Sequence, residues 1–170
     1  MFDQSFALFF DPLQSMSLAT AIARLSLALF LGALIGWERE VNSHPAGLRT
    51  HMLIALAAAL FTVIAMELTY FEGDASRADT LRMDPLRLIE AVTSGVAFLA
   101  AGSIIVQGGN VKGITTGASM WLAGAIGLAC GTGDAVLAII AAGLALMVLW
   151  LMRVLVKPVV KQIQDSEPGD

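Results

Sequence analysis

The chain has 170 residues, 57% of them hydrophobic and 14% charged, whereas soluble domains average about 45 to 50% and about 25%. The apolar residues come in runs of about 20, the length of a helix that crosses a bilayer. The formal charge of −4 and the scattered basic residues exclude a nucleic-acid partner. The single cysteine, Cys130, excludes an internal disulfide and predicts a small packing residue.

The hydrophobic runs predict an all-α fold, a polytopic transmembrane helical bundle that forms one domain over residues 1–161, with a frayed tail over 162–170. The fourth predicted span is short and rich in glycine and hydroxyl residues. Residues 1–16 carry Asp3 and Asp11 and no basic residue, so we expect the first span to be retained rather than cleaved as a signal peptide. The predicted spans are 17–37, 48–69, 86–106, 114–131 and 135–156.

The distribution of lysine and arginine predicts the orientation of these spans, because cytoplasmic loops carry an excess of both. An outside N-terminus and an inside C-terminus put most basic residues in the cytoplasm. The outer loop keeps three arginines interleaved with acidic residues. On the inner side lie Arg39, Arg49, Lys112, Arg153, Lys157 and Lys161, and on the outer side lie Arg77, Arg82 and Arg87.

A dense group of charges, the inner charged turn, separates the first two spans. Its residues are Glu38, Arg39, Glu40, Arg49, Thr50 and His51. Pro45 and Gly47 reverse the chain, so we expect Arg49 and His51 to return toward the two glutamates. Residues two apart on a helix face different directions, which disfavours a metal site made of Glu38 and Glu40 alone. Either the turn only anchors the helices at the interface, or it binds an ion, a headgroup or a partner protein.

Two ionisable residues lie inside predicted spans, Arg24 in the first and Glu90 in the third. A charge at the bilayer centre costs about 2.5 to 3.5 kcal/mol on insertion scales, so such residues should face protein and find partners. Their depths differ by about one helical turn. We therefore predict an Arg24–Glu90 pair, with Glu67 and Arg87 nearby, that serves either helix register or an outer cation entrance.

A glycine-rich inner loop leads into the fourth span, whose helix N-terminus would offer free N–H groups beside Lys112. Either an anion or lipid phosphate binds there, or the loop is a plain tight turn. Hydroxyls on the span either bond across helices or line a polar path. The polar residues of this fourth-span motif are Asn110, Lys112, Thr115, Thr116, Ser119 and Trp121.

Small residues recur four positions apart in four pairs on three of the predicted helices, a spacing that lets helices approach closely in membranes. We expect each pair to mark a helix-packing face. The pairs are Gly32 and Gly36, Ala91 and Gly95, Gly113 and Gly117, and Gly127 and Gly131.

Several of these stretches together resemble the MgtC/SapB family of bacterial inner-membrane proteins. They are Arg24-Leu25 with the Gly32–Glu40 run, Ala-Gly-Leu-Arg-Thr-His at 46–51, the segment 94–102 and the segment 111–121. Mild departures from the family pattern occur at Glu90, Ala97, Ala100 and Gly117. The resemblance implies a short form without the C-terminal soluble domain of longer members, located as a multi-pass protein in the bacterial inner membrane.

The resemblance also implies a role in magnesium homeostasis, stress adaptation and virulence, because the family is associated with magnesium limitation, acid tolerance and survival of pathogens in host cells. It implies membrane-protein partners, with ATP synthase as the partner suggested by family analogy. The first hypothesis is a non-enzymatic regulator that forms a homo-oligomer. The alternative is an oligomeric transporter or channel for Mg²⁺ or another cation, with Glu38, Glu40 and Glu90 as the candidate metal ligands.

Overall fold

The computed structural model describes residues 13–71, 84–107 and 109–164. Within these ranges the fold is helical, as the hydrophobic pattern predicts, and it also contains one short hairpin that the pattern does not predict. The helices are α1 (Leu18–Val41), α2 (Leu48–Phe71), α3 (Pro85–Gly102), α4 (Ile114–Thr132) and α5 (Ala135–Gln164). The strands β1 (Ile105–Gln107) and β2 (Asn110–Lys112) lie between α3 and α4.

The helix boundaries follow from local capping chemistry. Ser17 accepts a hydrogen bond from the Thr20 N–H and begins α1. Asp84 caps the Leu86 N–H, and Pro85 occupies the first turn of α3, where a missing N–H costs nothing. At the end of α4, Gly133 adopts the left-handed conformation with φ +99°, which glycine tolerates.

The third predicted span is too long at its C-terminal end, because α3 stops at Gly102 and the chain then forms an antiparallel hairpin. Gln107 pairs with Asn110 across the turn, and Gly109 has a φ of +82°. Two-residue hairpin turns need this left-handed backbone. The apolar run that continues past Gly102 is therefore strand, and its hydrophobicity alone does not distinguish the two conformations.

Within the part of the chain that the structure describes, three helices are long and apolar enough to cross a membrane, namely Leu18–Val41, Leu48–Thr69 and Ile114–Thr132. A further apolar stretch covers Ala135–Leu151 of α5. Many large apolar side chains on these helices are exposed, as expected when the surrounding solvent is lipid. The chain is a helical membrane protein.

Helix α4, the shortest and least apolar of these three helices, lies at the centre of the bundle. Of the three helices, α4 has the largest fraction of buried residues in its apolar segment, 56%. It packs against all four other described helices. A Cβ atom on Gly131 would lie 2.5 Å from Thr62 Cβ and 2.7 Å from the Ala59 oxygen of α2. The small residues that make α4 look weak as a span let its backbone approach α2 closely.

Candidate functional site

Polar side chains from three helices meet at one end of the bundle, where α1 ends and α2 and α4 begin; we call it the turn end. Arg39 of α1 is 3% exposed and donates from Nη2 to Thr116 Oγ1 of α4 at 3.2 Å. His51 of α2 is fully buried, and its Nε2 lies 2.9 Å from Ser119 Oγ of α4. These four residues form the polar junction, which connects α1 and α2 to the central helix.

The hydrogen bonds of His51 define its proton position. Its Nδ1 lies 2.8 Å from the Gly47 oxygen, and because a carbonyl can only accept, Nδ1 must carry a proton. In a neutral imidazole Nε2 is then the acceptor for the Ser119 hydroxyl. That hydroxyl also lies 2.8 Å from the Thr116 oxygen, so its single hydrogen can be donated to only one of these two acceptors at a time.

Glu38 connects α1 with α5 beside the polar junction. Its Oε1 lies 3.5 Å from Arg153 Nη2 and accepts from Asn42 Nδ2 at 2.8 Å. Its Oε2 lies 3.9 Å from Arg39 Nη1, too far for a hydrogen bond. One carboxylate therefore stands between two guanidinium groups, both of which face the same small cavity.

This turn-end cavity has a volume of about 300 Å³ and lies between α1, α4 and α5. Among the described residues, three buried polar atoms of side chains that line this cavity have no hydrogen-bond partner, namely Glu38 Oε2, Arg39 Nε and Arg153 Nε. Thr115 and Leu149 complete the wall on the α4 and α5 sides. Buried polar atoms are nearly always paired in folded proteins, so this cluster marks the cavity as a candidate binding site.

The expected return of the second span toward the two glutamates occurs only in part. Glu40 Oε2 accepts from the Leu48 N–H at 2.9 Å and so caps α2. Arg49 is exposed and Thr50 is half-buried. His51 does return to the turn end, but it bonds Gly47 and Ser119 rather than a carboxylate. Helix α4 lies against both helices here, and its hydroxyls bond the two buried side chains.

The predicted Arg24–Glu90 pair does not form. Arg24 Nη1 donates to the Gly131 oxygen at 2.8 Å and contacts Met66 Sδ at 3.5 Å. Glu90 is exposed on α3. The physical reason is that α1 and α3 each pack against α4 rather than against each other, so matching depth does not bring the two side chains together.

The two residues expected near that pair, Glu67 and Arg87, are also apart. Glu67 Oε2 accepts from the Ser15 hydroxyl at 2.6 Å and ties the segment before α1 to α2. Arg87 is exposed on α3 and lines a lateral groove of about 840 Å³ between α2 and α3. An outer cation entrance built from all four residues therefore lacks the geometry that it needs.

The fourth-span motif divides between two places. Thr116 and Ser119 are buried in the polar junction, and Thr115 lines the turn-end cavity. Trp121 is 49% exposed on the outer surface of α4, where it contributes nothing to the cavity. Asn110 and Lys112 are exposed on β2.

The three candidate metal ligands lie on different structural elements or serve different partners. Glu38 is engaged by Asn42 and Arg153, Glu40 caps α2, and Glu90 is exposed on α3. Among residues 13–71, 84–107 and 109–164, no three His, Cys, Asp or Glu side chains are grouped as a metal ion would need. Cys130 is buried in the hydrophobic core between α1, α2 and α5, as its apolar neighbours predict.

Sequence reasoning missed two features of this site, the role of Arg153 and the bond between Arg39 and Thr116. Arg153 counted only as an inner positive charge, although its place three residues before the end of the last predicted span was a signal. A charged side chain within a span should find a polar partner inside the protein. The pairing of Arg39 with a hydroxyl on a distant helix had no local signal, since 77 residues separate them.

Comparison with known proteins identifies the family. The model of the MgtC family matches residues 25–157. YhiD of Escherichia coli strain K12, named as a candidate magnesium transporter, is 39% identical over 77% of this chain and 60% of its own length. Protein MgtC of Brucella abortus strain 2308 is 39% identical over 82% of this chain and 54% of its own length.

The matched region includes the polar junction, the turn-end cavity and all five helices in whole or in part. This chain spans about 54 to 60% of the length of these two relatives. No solved structure matches it. The match to residues 25–157 covers well over half of the 170 residues, and the chain belongs to the MgtC family.

Proposed function

We propose that this chain is a multi-pass protein of the bacterial inner membrane that acts in magnesium homeostasis as a non-enzymatic regulator. It would act by binding other membrane proteins through its helix surface. The magnesium link draws on its family and on the name of its E. coli relative. The mode of action draws on one structural observation, the open face of α3.

The open face of α3 is formed by Ala91, Gly95, Phe98 and Leu99. A Cβ atom on Gly95 would meet no other atom within 4 Å, and Phe98 is 80% exposed. An apolar groove of about 340 Å³ separates this part of α3 from α2. Small residues on a lipid-facing helix favour close association with another helix, so this face suits a partner's transmembrane helix.

Cysteine crosslinking in native membranes tests this partner face. The buried Cys130 is first replaced by Ala, and a single cysteine is then placed at Gly95 on the open face. The matched control carries its cysteine at Ile140, which is 53% exposed on α5. We expect a membrane-protein adduct from Gly95→Cys and none from Ile140→Cys. Equal adducts at both positions, or none at either, would contradict a specific partner face.

The alternative function is cation transport by an oligomer, favoured by the name of the E. coli relative. A monomeric Mg²⁺ path is hard to build here, because this ion requires near-octahedral oxygen ligands and keeps several waters, whereas Glu38 and Glu40 already serve Arg153 and the Leu48 N–H. We therefore rank regulation ahead of cation transport.

Purified protein in liposomes that enclose a magnesium-sensitive dye separates the two functions. We expect no protein-dependent uptake. Uptake that disappears in Glu38→Gln or Glu40→Gln, and persists in the exposed control Glu90→Gln, would reverse the ranking and make the turn-end carboxylates part of a transport path.

A further inference from the structure

Among the described residues that line the turn-end cavity, positive charge exceeds negative charge. Two guanidinium groups, from Arg39 and Arg153, share the single carboxylate of Glu38. Each guanidinium also has a buried Nε without a hydrogen-bond partner. A buried charged donor that lacks a partner is costly, and a bound anion would remove that cost.

Of the two arginines, Arg39 gives the stronger evidence for an anion site, because only 3% of the residue is exposed. Its Nη2 is used by Thr116 at 3.2 Å, while its Nη1 lies 3.9 Å from Glu38 Oε2. Among the described residues, the guanidinium therefore makes one hydrogen bond, from Nη2. The planar donor set of arginine suits a phosphate, which can accept two parallel bonds.

The N-terminus of α4 adds a second, independent attraction for an anion. Gly113 precedes the helix with φ +92°, and no side chain caps the first turn. Thr115, in that turn, lines the cavity. Free N–H groups and the helix dipole favour negative charge at such a position.

The remaining wall is apolar and belongs to α5. Val148 and Leu149 line the cavity opposite the charged groups, and Val148 is 56% exposed on the bundle surface. A ligand that carries a phosphate at one end and hydrocarbon at the other would satisfy both kinds of wall. The bilayer supplies such a molecule at high local concentration.

We propose that the turn-end cavity binds the phosphate of a phospholipid headgroup between Arg39, Arg153 and the N-terminus of α4, with the lipid chains along α5. Glu38 holds the two guanidinium groups in place when the site is empty. The lipid would then act as a ligand that joins α1, α4 and α5. This inference does not rest on the proposed function, since it needs neither magnesium nor a partner protein.

Native mass spectrometry and thermal unfolding of the detergent-purified protein test the site. The probes are phosphatidylglycerol, diacylglycerol with the same acyl chains, and inorganic phosphate. The variant is Arg153→Gln, because Arg153 is partly exposed and its loss should not prevent folding. The matched control is Arg49→Gln, which removes the same charge from an exposed position at the same end of the bundle.

We expect phosphatidylglycerol to bind and to raise the melting temperature, and diacylglycerol not to. A charge-assisted hydrogen bond contributes about 1.5 to 3 kcal/mol, so Arg153→Gln should weaken lipid binding about tenfold or more, with Arg49→Gln unchanged. Equal weakening in the two variants, or equal binding of diacylglycerol, would overturn the site. Binding of inorganic phosphate in place of the lipid, with the same dependence on Arg153, would overturn the headgroup assignment and make soluble phosphate the ligand.

A second variant separates this site from a cation site. Glu38→Gln removes the negative charge that competes with the phosphate, so we expect phosphatidylglycerol binding to be retained or strengthened. Weaker lipid binding in Glu38→Gln, with folding preserved, would contradict an anion site. In the transport alternative the same variant should instead lose function, because loss of the carboxylate abolishes magnesium uptake.

Discussion

At the scale of single residues, three buried or half-buried polar side chains of α1 and α2 form hydrogen bonds to another helix. His51 reaches Ser119, Arg39 reaches Thr116, and Arg24 reaches the Gly131 oxygen. Each polar group in a lipid-embedded bundle must find a partner inside the protein. The partner in all three cases belongs to α4, which makes the central helix the common hydrogen-bonding partner of α1 and α2.

Ser119→Ala should destabilise the protein by leaving His51 Nε2 buried without a partner. The cost of one unsatisfied buried group is about 1 to 3 kcal/mol, measurable as the free energy of unfolding in detergent. Thr132→Ala is the control on the same helix, because the Thr132 hydroxyl bonds only the Ala129 oxygen and is exposed. Comparable losses in the two variants would show that the bond to His51 contributes little.

Arg24→Gln and Glu90→Gln should differ, although the sequence predicts that they act as a pair. Loss of the bond from Arg24 to the Gly131 oxygen should lower the free energy of unfolding by about 1.5 to 3 kcal/mol, the range for hydrogen bonds to charged groups. Glu90→Gln should leave it unchanged, since Glu90 is exposed. A double variant less destabilised than the sum of the single variants would reveal a coupling that this geometry does not contain.

At the scale of elements, glycine positions separate packed helix faces from open ones. Three of the four predicted small-residue faces contact another segment, as Gly36 does with Leu48 of α2 and Gly117 with Ala100 of α3. The fourth, Ala91 and Gly95 on α3, faces open space. The four-residue spacing is the same in all cases, so only the arrangement of the helices decides which face is occupied.

Gly131→Ala and Gly95→Ala should therefore change stability in opposite directions. The added methyl group at Gly131 would overlap Thr62 and the α2 backbone, and overpacking of this kind costs about 1 to 3 kcal/mol. At Gly95 it meets nothing, and alanine should favour the helix by about 0.5 to 1 kcal/mol. Thermal unfolding of the isolated protein measures both effects, and destabilisation by Gly95→Ala would mean that this face is packed after all.

At the scale of the whole molecule, the basic residues that the structure describes concentrate at the turn end. Arg39, Arg49, Lys112 and Arg153 all lie there, on α1, α2, β2 and α5. Cytoplasmic ends of membrane proteins carry such an excess. We therefore expect the turn end to face the cytoplasm, with the start of α1 on the outside.

A reporter fused after residue 170 checks this orientation. A fluorescent protein that folds only in the cytoplasm should fluoresce, and alkaline phosphatase at the same position should be inactive. The reverse result would place the turn end outside and would move the proposed lipid site to the outer leaflet. Single-cysteine labelling at Arg49→Cys, in a Cys130→Ala background, gives an independent readout of the same end.

Local sequence patterns are enough to identify a helical membrane protein, and they place the helix ends to within about four residues except at the end of α5, which runs to Gln164 whereas the predicted span ends at 156. Runs of about 20 apolar residues and caps such as Asp84-Pro85 are local properties. The polar segments of the turn end are also recognisable in the sequence from their charged and hydroxyl residues. They are residues 38–51 and 110–121.

Which of these residues contact each other depends on the tertiary structure. It put α4 between α1 and α3, which separates Arg24 from Glu90, and it brought Arg153 to Glu38 across 115 positions of the chain. The physical reason is that side-chain pairing in a bundle depends on which helices are neighbours. Helix neighbourhood follows from the close contacts of α4 glycines with α2, and no local pattern in the sequence encodes it.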